Sequence, residues 1–313
     1  MREQQEMRAV YCATMMEMAE KDERIVAVQA DLMGGHGMKP FAAKFPGRSF
    51  NVGVAEANMA GIAAGLAAAG KIPFIHSFAT FATRRCFDQI AISICYAGLN
   101  VRIIGSDPGV SAELNGATHM PLEDVGIMRV LPGLSIFEPV DSVQLRAALP
   151  ALTYQEGPVY IRLSRKTAES VFQEGYSFRP GRADVLKEGT DVTIIAAGLC
   201  VSEALAAAGR LDAAGIKARV LNIHTVKPID TEAVIRAAAE TGAVVTAENH
   251  SIIGGLGSAV AEVLAEEHPA PLVRVGVRDR FGEVGKLDYL MRAFGITAAD
   301  IESAALKAIG RKL

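Results

Sequence analysis

The stretch Asn51-Val-Gly-Val-Ala-Glu-Ala-Asn-Met-Ala-Gly-Ile-Ala-Ala-Gly65 decides the fold. Ser49 to Val54 reads as the end of a strand. Ala57 to Ala69 reads as a helix rich in alanine, the strongest helix former. Gly61 and Gly65 let that helix pack closely against a flat neighbour. Glu56 stands at the turn between the two elements, and the helix after it carries no charge. A carboxylate in that place is either a helix-start residue favoured by the macrodipole or a functional group that needs a partner in apolar surroundings.

Working outward, the chain has 313 residues, 50% of them hydrophobic, and a net charge of -3. That suits a compact protein of two ordinary domains rather than a disordered chain. The absence of a Lys/Arg cluster argues against a nucleic-acid surface. Every apolar run is broken before the length of about eighteen residues that a membrane span needs. Met1-Arg-Glu-Gln-Gln-Glu6 lacks the shape of a signal peptide. Cys12, Cys86, Cys95 and Cys200 show no metal-ligand spacing and read as free thiols in a reducing compartment, so a cytoplasmic protein is expected.

Strand and helix patterns alternate throughout. Ile25 to Ala30, Ile72 to His76, Val101 to Ile104, Ser135 to Phe137 and Val159 to Leu163 are β-branched runs without polar alternation, as strands covered on both faces should be. Helical patterns lie at Arg8 to Glu20, at Ala82 to Tyr96 and from about Asp141. A composition shift at Ser164 to Gly189 marks a linker. A second alternation follows, with strands at Val192 to Ala197, Ala218 to Ile223, Ala243 to Ala247 and Leu272 to Val277. The expected fold is therefore α/β, two doubly wound domains at 1–186 and 187–313, with ligands beyond the carboxyl ends of the strands.

The loops at that edge carry the polar residues of interest. Phe78 and Phe81, three apart where a strand gives way to a helix, are either core residues or the walls of a slot for a flat heteroaromatic ring. Arg84 and Arg85 follow, one toward the site and one toward solvent. His119 lies in Gly116-Ala-Thr-His119 among small residues that leave the backbone close to a ligand.

Val52-Gly-Val-Ala-Glu56, the Phe78/Phe81 pair followed by Arg-Cys-Phe-Asp-Gln89, Gly116-Ala-Thr-His119, Arg162-Leu-Ser-Arg165 and Thr225-Val-Lys-Pro-Ile-Asp230 occur in this order. Together they resemble the transketolase family of thiamine-diphosphate enzymes over nearly the whole chain. The match is to its C-terminal half, a pyrimidine-binding domain followed by a C-terminal domain. The resemblance implies transfer of a two-carbon ketol unit from a ketose to an aldose through a carbanion of thiamine diphosphate. It makes Glu56 the glutamate that hydrogen-bonds N1′ of the aminopyrimidine. It makes Phe78 and Phe81, with Arg84 or Arg85, the surroundings of that ring. It makes His119 a catalytic contact near the reacting carbonyl. Arg8 and Arg165 match arginines that bind the sugar phosphate, for which a planar fork is suited; the alternative for Arg8 is a solvated charge. Asp107 and Asn115 fall in the donor-sugar loop.

The family holds diphosphate and Mg2+ through a Gly-Asp-Gly motif that this chain lacks. No metal ligand is expected here, and a separate N-terminal subunit is expected to supply both. That partnership implies a homodimer core within a heterotetramer. Asp107 replaces a usual His, Leu114-Asn115 replaces an acidic pair, and a usual phosphate-binding Ser falls on or next to Gly35. Two arginines against one carboxylate leave an expected net positive pocket for an anionic ketose, either of different stereochemistry or with its phosphate replaced or moved, whose anionic group sits nearer the arginines than Asp107. A deoxyxylulose-phosphate synthase-like subunit, a 2-oxo acid dehydrogenase beta subunit and a non-catalytic subunit that kept the fold are the alternatives.

Overall fold

The computed structural model describes residues 2–312. In chain order its elements are α1 (Met7–Lys21), β1 (Ile25–Gln29), α2 (Lys39–Lys44), β2 (Ser49–Asn51), α3 (Glu56–Ala68), β3 (Ile72–Phe78), α4 (Ala79–Thr83), α5 (Phe87–Gln89), β4 (Arg102–Ser106), α6 (Asp124–Arg129), β5 (Ser135–Phe137), α7 (Ser142–Tyr154) and β6 (Val159–Leu163). The second half contributes β7 (Asp184–Lys187), β8 (Val192–Ala196), α8 (Cys200–Ala213), β9 (Ala218–Asn222), β10 (Thr225–Lys227), α9 (Thr231–Thr241), β11 (Val244–Ser251), α10 (Leu256–Glu266), β12 (Leu272–Val277), α11 (Leu287–Ala293) and α12 (Ala298–Ile309).

The first sheet has the order β10-β5-β6-β4-β3-β1-β2, and the second β12-β11-β8-β9-β7. Both are parallel except at one edge each, where β10 and β7 run antiparallel. These edge strands depart from the purely doubly wound expectation. β10 comes from the second half of the chain yet extends the first sheet beside β5. β7 pairs with β9, so the division expected between residues 186 and 187 falls inside a strand of the second sheet.

The all-buried strands follow from helices on both faces. On one face of the first sheet, Met7, Tyr11 and Met15 of α1 meet Leu145 and Leu149 of α7 over Phe74. On the other, Met59, Ala60 and Ala63 of α3 pack with Ile90 and Ile94 over Val28, Ile75 and Ile103. Met120 and Leu122 of the first half join the core of the second. Buried Arg162 completes that junction, donating to Asp124 Oδ2 at 2.8 Å, Glu138 Oε2 at 2.6 Å and Asn249 O at 3.0 Å.

The continuous helix expected from Ala82 to Tyr96 is broken. α4 gives way to a 3-10 turn at Arg84–Cys86, then α5, then wider π-type turns at Ile90–Tyr96. Side chains compete for the α4 carbonyls: Thr83 Oγ1 donates to Ala79 O at 2.7 Å and Cys86 Sγ to Ala82 O at 3.3 Å. The break is what separates Phe81, Arg84 and Arg85 in direction.

Candidate active site

In the first sheet the chain leaves β1 toward β2 on one side and returns to β3 on the other, so a crevice opens at the carboxyl ends of β1 and β3. Three loops converge there. β2 leads through Val52 to Ala55 into α3, which places Glu56 in its first turn, 4% exposed. β3 ends on Phe78, and α4 carries Phe81 one turn later. β4 ends at Ser106, and the segment from Asp107 to His119 follows as short 3-10 turns.

Glu56 receives a hydrogen bond from Ser77 Oγ at 3.4 Å and is ion-paired with Arg85, whose Nη1 lies 3.2 Å from Oε1 and 3.4 Å from Oε2. Arg85 also lies over the Phe81 ring, 3.7 Å from its centroid. Its guanidinium is 47% exposed, so the pair is open to solvent on one side and to displacement by a ligand. Arg84 turns away instead, to Thr80 Oγ1 and to Glu123 Oε1 at 3.0 Å. Of the two arginines, it is Arg85 that lies beside the aromatic pair.

The pair is part of helix and strand rather than loop. Phe78 and Phe81 meet edge to face at 6.1 Å, and the His119 ring stands against both, at 5.5 Å and 5.1 Å. The three rings enclose a corner and do not form a parallel slot. Thr118 Oγ1 occupies His119 Nδ1 at 2.9 Å, which leaves Nε2 as the ring nitrogen available to a ligand. Asn115 is exposed just before the Gly116 turn and away from these rings' contacts.

A second corner adjoins the first through Arg165, which lies 4.9 Å from the Phe78 centroid. Arg165 Nε donates to Asp107 Oδ2 at 2.5 Å. Arg8 Nη1 donates to Gly35 O at 2.9 Å, and a Cβ on Gly35 would sit 3.4 Å from Arg165 Nη1. Arg8 is therefore built into the corner rather than solvated on α1. Its Nε also donates to Glu6 Oε2 at 2.7 Å, a carboxylate absent from the count of two arginines against one acid. Among these four residues the charges cancel, and Lys39 beside Gly34 restores the net positive charge expected from sequence.

Beneath both corners lies a polar layer that the motifs did not reveal. His36 Nε2 meets Ser106 Oγ at 2.9 Å, and its ring packs 6.1 Å from Phe78. His76 Nε2 meets Tyr11 Oη at 2.7 Å. Burial lowers the pKa of both, and that of His76 falls to about 3, so this layer stays neutral under the charged groups. Gln29 faces His76 in strand register, fully buried. A strand-end polar residue in a run otherwise apolar was the signal available in the sequence for Gln29 and His76. Asn249 also went unseen: from the second domain its Nδ2 donates to Pro108 O and its Oδ1 accepts from Val110 N, both at 2.8 Å. Among the described residues, no group of three or more His, Cys, Asp and Glu side chains is placed to hold a metal ion.

Comparison with known proteins places this geometry. Residues 3–170 match the family model of the transketolase pyrimidine-binding domain, and residues 181–301 that of the transketolase C-terminal domain. A 6-deoxy-6-sulfo-D-fructose transketolase subunit from Clostridium sp. (strain MSTE9) is 59% identical over 306 residues, 98% of this chain and 95% of the relative. An apulose-4-phosphate transketolase subunit from Phocaeicola vulgatus is 37% identical over 96% of each chain. A solved structure described as a split gene transketolase, inactive beta4 tetramer, superposes with a TM-score of 0.91 at 47% identity, covering 98% of this chain and 99% of that one. The chain thus belongs to the thiamine-diphosphate-dependent transketolase family, as the C-terminal subunit of a split transketolase.

Proposed function

We propose that this chain supplies the pyrimidine side of a thiamine-diphosphate site completed by an N-terminal subunit, and that the complex moves a two-carbon ketol unit from an anionic ketose to an aldose. The observation that carries this is the buried Glu56 at the first turn of α3, beside the Phe78–Phe81–His119 corner. A carboxylate acceptor next to aromatic edges fits an aminopyrimidine. When bound, thiamine diphosphate supplies the carbon nucleophile for the ketose carbonyl. Glu56 holds the proton at the ring nitrogen, the phenylalanines orient the ring and exclude water, and His119 Nε2 donates to the substrate oxygen on which charge develops. Diphosphate and Mg2+ fall to the partner subunit.

The 59% identity to a 6-deoxy-6-sulfo-D-fructose transketolase subunit supports a sulfonated ketose as the first donor to test. The exposed side of α3, with Ala57, Gly61, Ile62 and Gly65, and the neighbouring exposed Ile92 and Tyr96 support a homodimer core within a two-plus-two heterotetramer. The test is co-purification with a partner that carries the Gly-Asp-Gly motif, followed by donor cleavage with thiamine diphosphate and Mg2+. Ketol transfer by the complex, with neither subunit active alone, is the expected result. Full activity of this chain alone, or none in the complex with any ketose, contradicts the proposal.

A further inference from the structure

Both arginines of the anion corner are already paired within the chain. Arg165 spends its Nε and Nη2 on Asp107 Oδ2, so one bidentate edge of its fork is taken. Asp107 is 3% exposed, and water screens that pair little. The carboxylate is also fixed: its backbone N–H donates to Leu163 O at 3.0 Å, in the left-handed region at φ 52°. Arg8 is paired with Glu6. The remaining nearby charge is Lys39, whose Nζ lies 3.8 Å from the place of a Gly34 Cβ. Lys166 is cancelled by Glu113, and buried His36 stays neutral. Three cations (Arg8, Arg165, Lys39) against two carboxylates (Glu6, Asp107) leave a single positive charge.

A sulfonate carries one negative charge, whereas a phosphate ester carries about 1.5 to 2 at neutral pH. We infer that Asp107, by neutralising Arg165 from within, selects a ketose with a monoanionic head group over one with a dianionic phosphate. The inference rests on the transketolase reading and adds the residue that sets donor charge. Discrimination comes from the repulsive element, since Asp107 opposes each additional charge brought to Arg165.

The experiment uses the reconstituted complex with thiamine diphosphate and Mg2+, at a pH above the second ionisation of the phosphonate, which lies higher than the value of about 6 for a phosphate ester. The donors are 6-deoxy-6-sulfofructose and its phosphonate isostere, which share the carbon-to-head-group bond and differ in charge. The wild-type complex should favour the sulfonate in kcat/KM by about tenfold or more, mostly through KM. D107N should shrink that ratio about tenfold by lowering KM for the phosphonate. Equal use of the two donors by the wild type overturns the inference. So does an unchanged ratio in a D107N complex that still turns over donors. Should D107N fail to fold, the wild-type ratio and E6Q, which frees Arg8 in the same way, decide. Ketol transfer without charge preference defeats this inference and leaves the proposed function standing. Absence of turnover with every donor defeats both.

Discussion

Asn249→Ala removes the side chain by which the second domain holds the loop behind Asp107. Its amide bridges Pro108 O and Val110 N, both at 2.8 Å, and is buried. Deletion leaves the buried Val110 N–H unpaired, at a cost of about 1–3 kcal/mol, while Pro108 O keeps the hydrogen bond from Ser111 Oγ at 2.6 Å. Gly109 lies against the amide, at φ 55° and without a side chain. The vacated volume can therefore admit a water, which keeps the cost within about 1–3 kcal/mol. At about 2–4 °C per kcal/mol for domains of this size, Tm should fall by roughly 3–12 °C. Because the loop starts at Asp107, KM for the donor should rise more than kcat falls. Asn249→Asp should be worse than alanine, since it sets a buried negative oxygen against Pro108 O. Calorimetry gives the first quantity and donor kinetics in the reconstituted complex the second. A Tm within about 2 °C of wild type, together with an unchanged KM, would refute the clamp.

Three further outcomes follow from the geometry. His76 has its pKa lowered from 6.5 to about 3 by burial, so the unfolded chain takes up a proton that the folded one refuses; stability present above pH 6.5 is lost as pH falls toward 3, by about 1.4 kcal/mol per unit. His76→Gln should flatten that slope in urea midpoints measured across pH, and an unchanged slope counts against the assignment. A Cβ on Gly105 would lie 2.6 Å from Tyr160 Oη and 2.9 Å from Ala79 Cα, so Gly105→Ala should displace α4 with Phe81 and cost about 1–3 kcal/mol, read as lost thermal stability and lost cofactor affinity in the complex. Ile62→Asp, on the exposed face of α3, should leave the fold intact by circular dichroism and convert the proposed homodimer to a monomer in light scattering; a persistent dimer places the contact elsewhere.

The buried parallel strands were legible because their β-branched runs have no polar alternation, and so were the strand ends beyond which Glu56 and Phe78 stand; that Phe81 and His119 join Phe78 in one corner is seen only in the fold. What was not legible depends on distance in sequence. β7 and β10 are short antiparallel edges whose partners lie far along the chain. Glu6 looks like a terminal surface charge until α1 brings Arg8 against Gly35. The direction of Arg84 against Arg85 turns on the 3-10 break after α4, and no periodicity encodes that break. Asn249 acts on a loop 139 residues away.

The central claim is that Glu56 is the group that holds the proton at the cofactor's ring. The measurement is the donor-cleavage rate of Glu56→Gln in the complex reconstituted with its partner, thiamine diphosphate and Mg2+, with circular dichroism on the same sample. The amide keeps the shape and cannot carry the proton, so the rate should fall roughly 10²-fold or more with the spectrum unchanged. A folded Glu56→Gln complex that cleaves donor at near the wild-type rate would contradict the account.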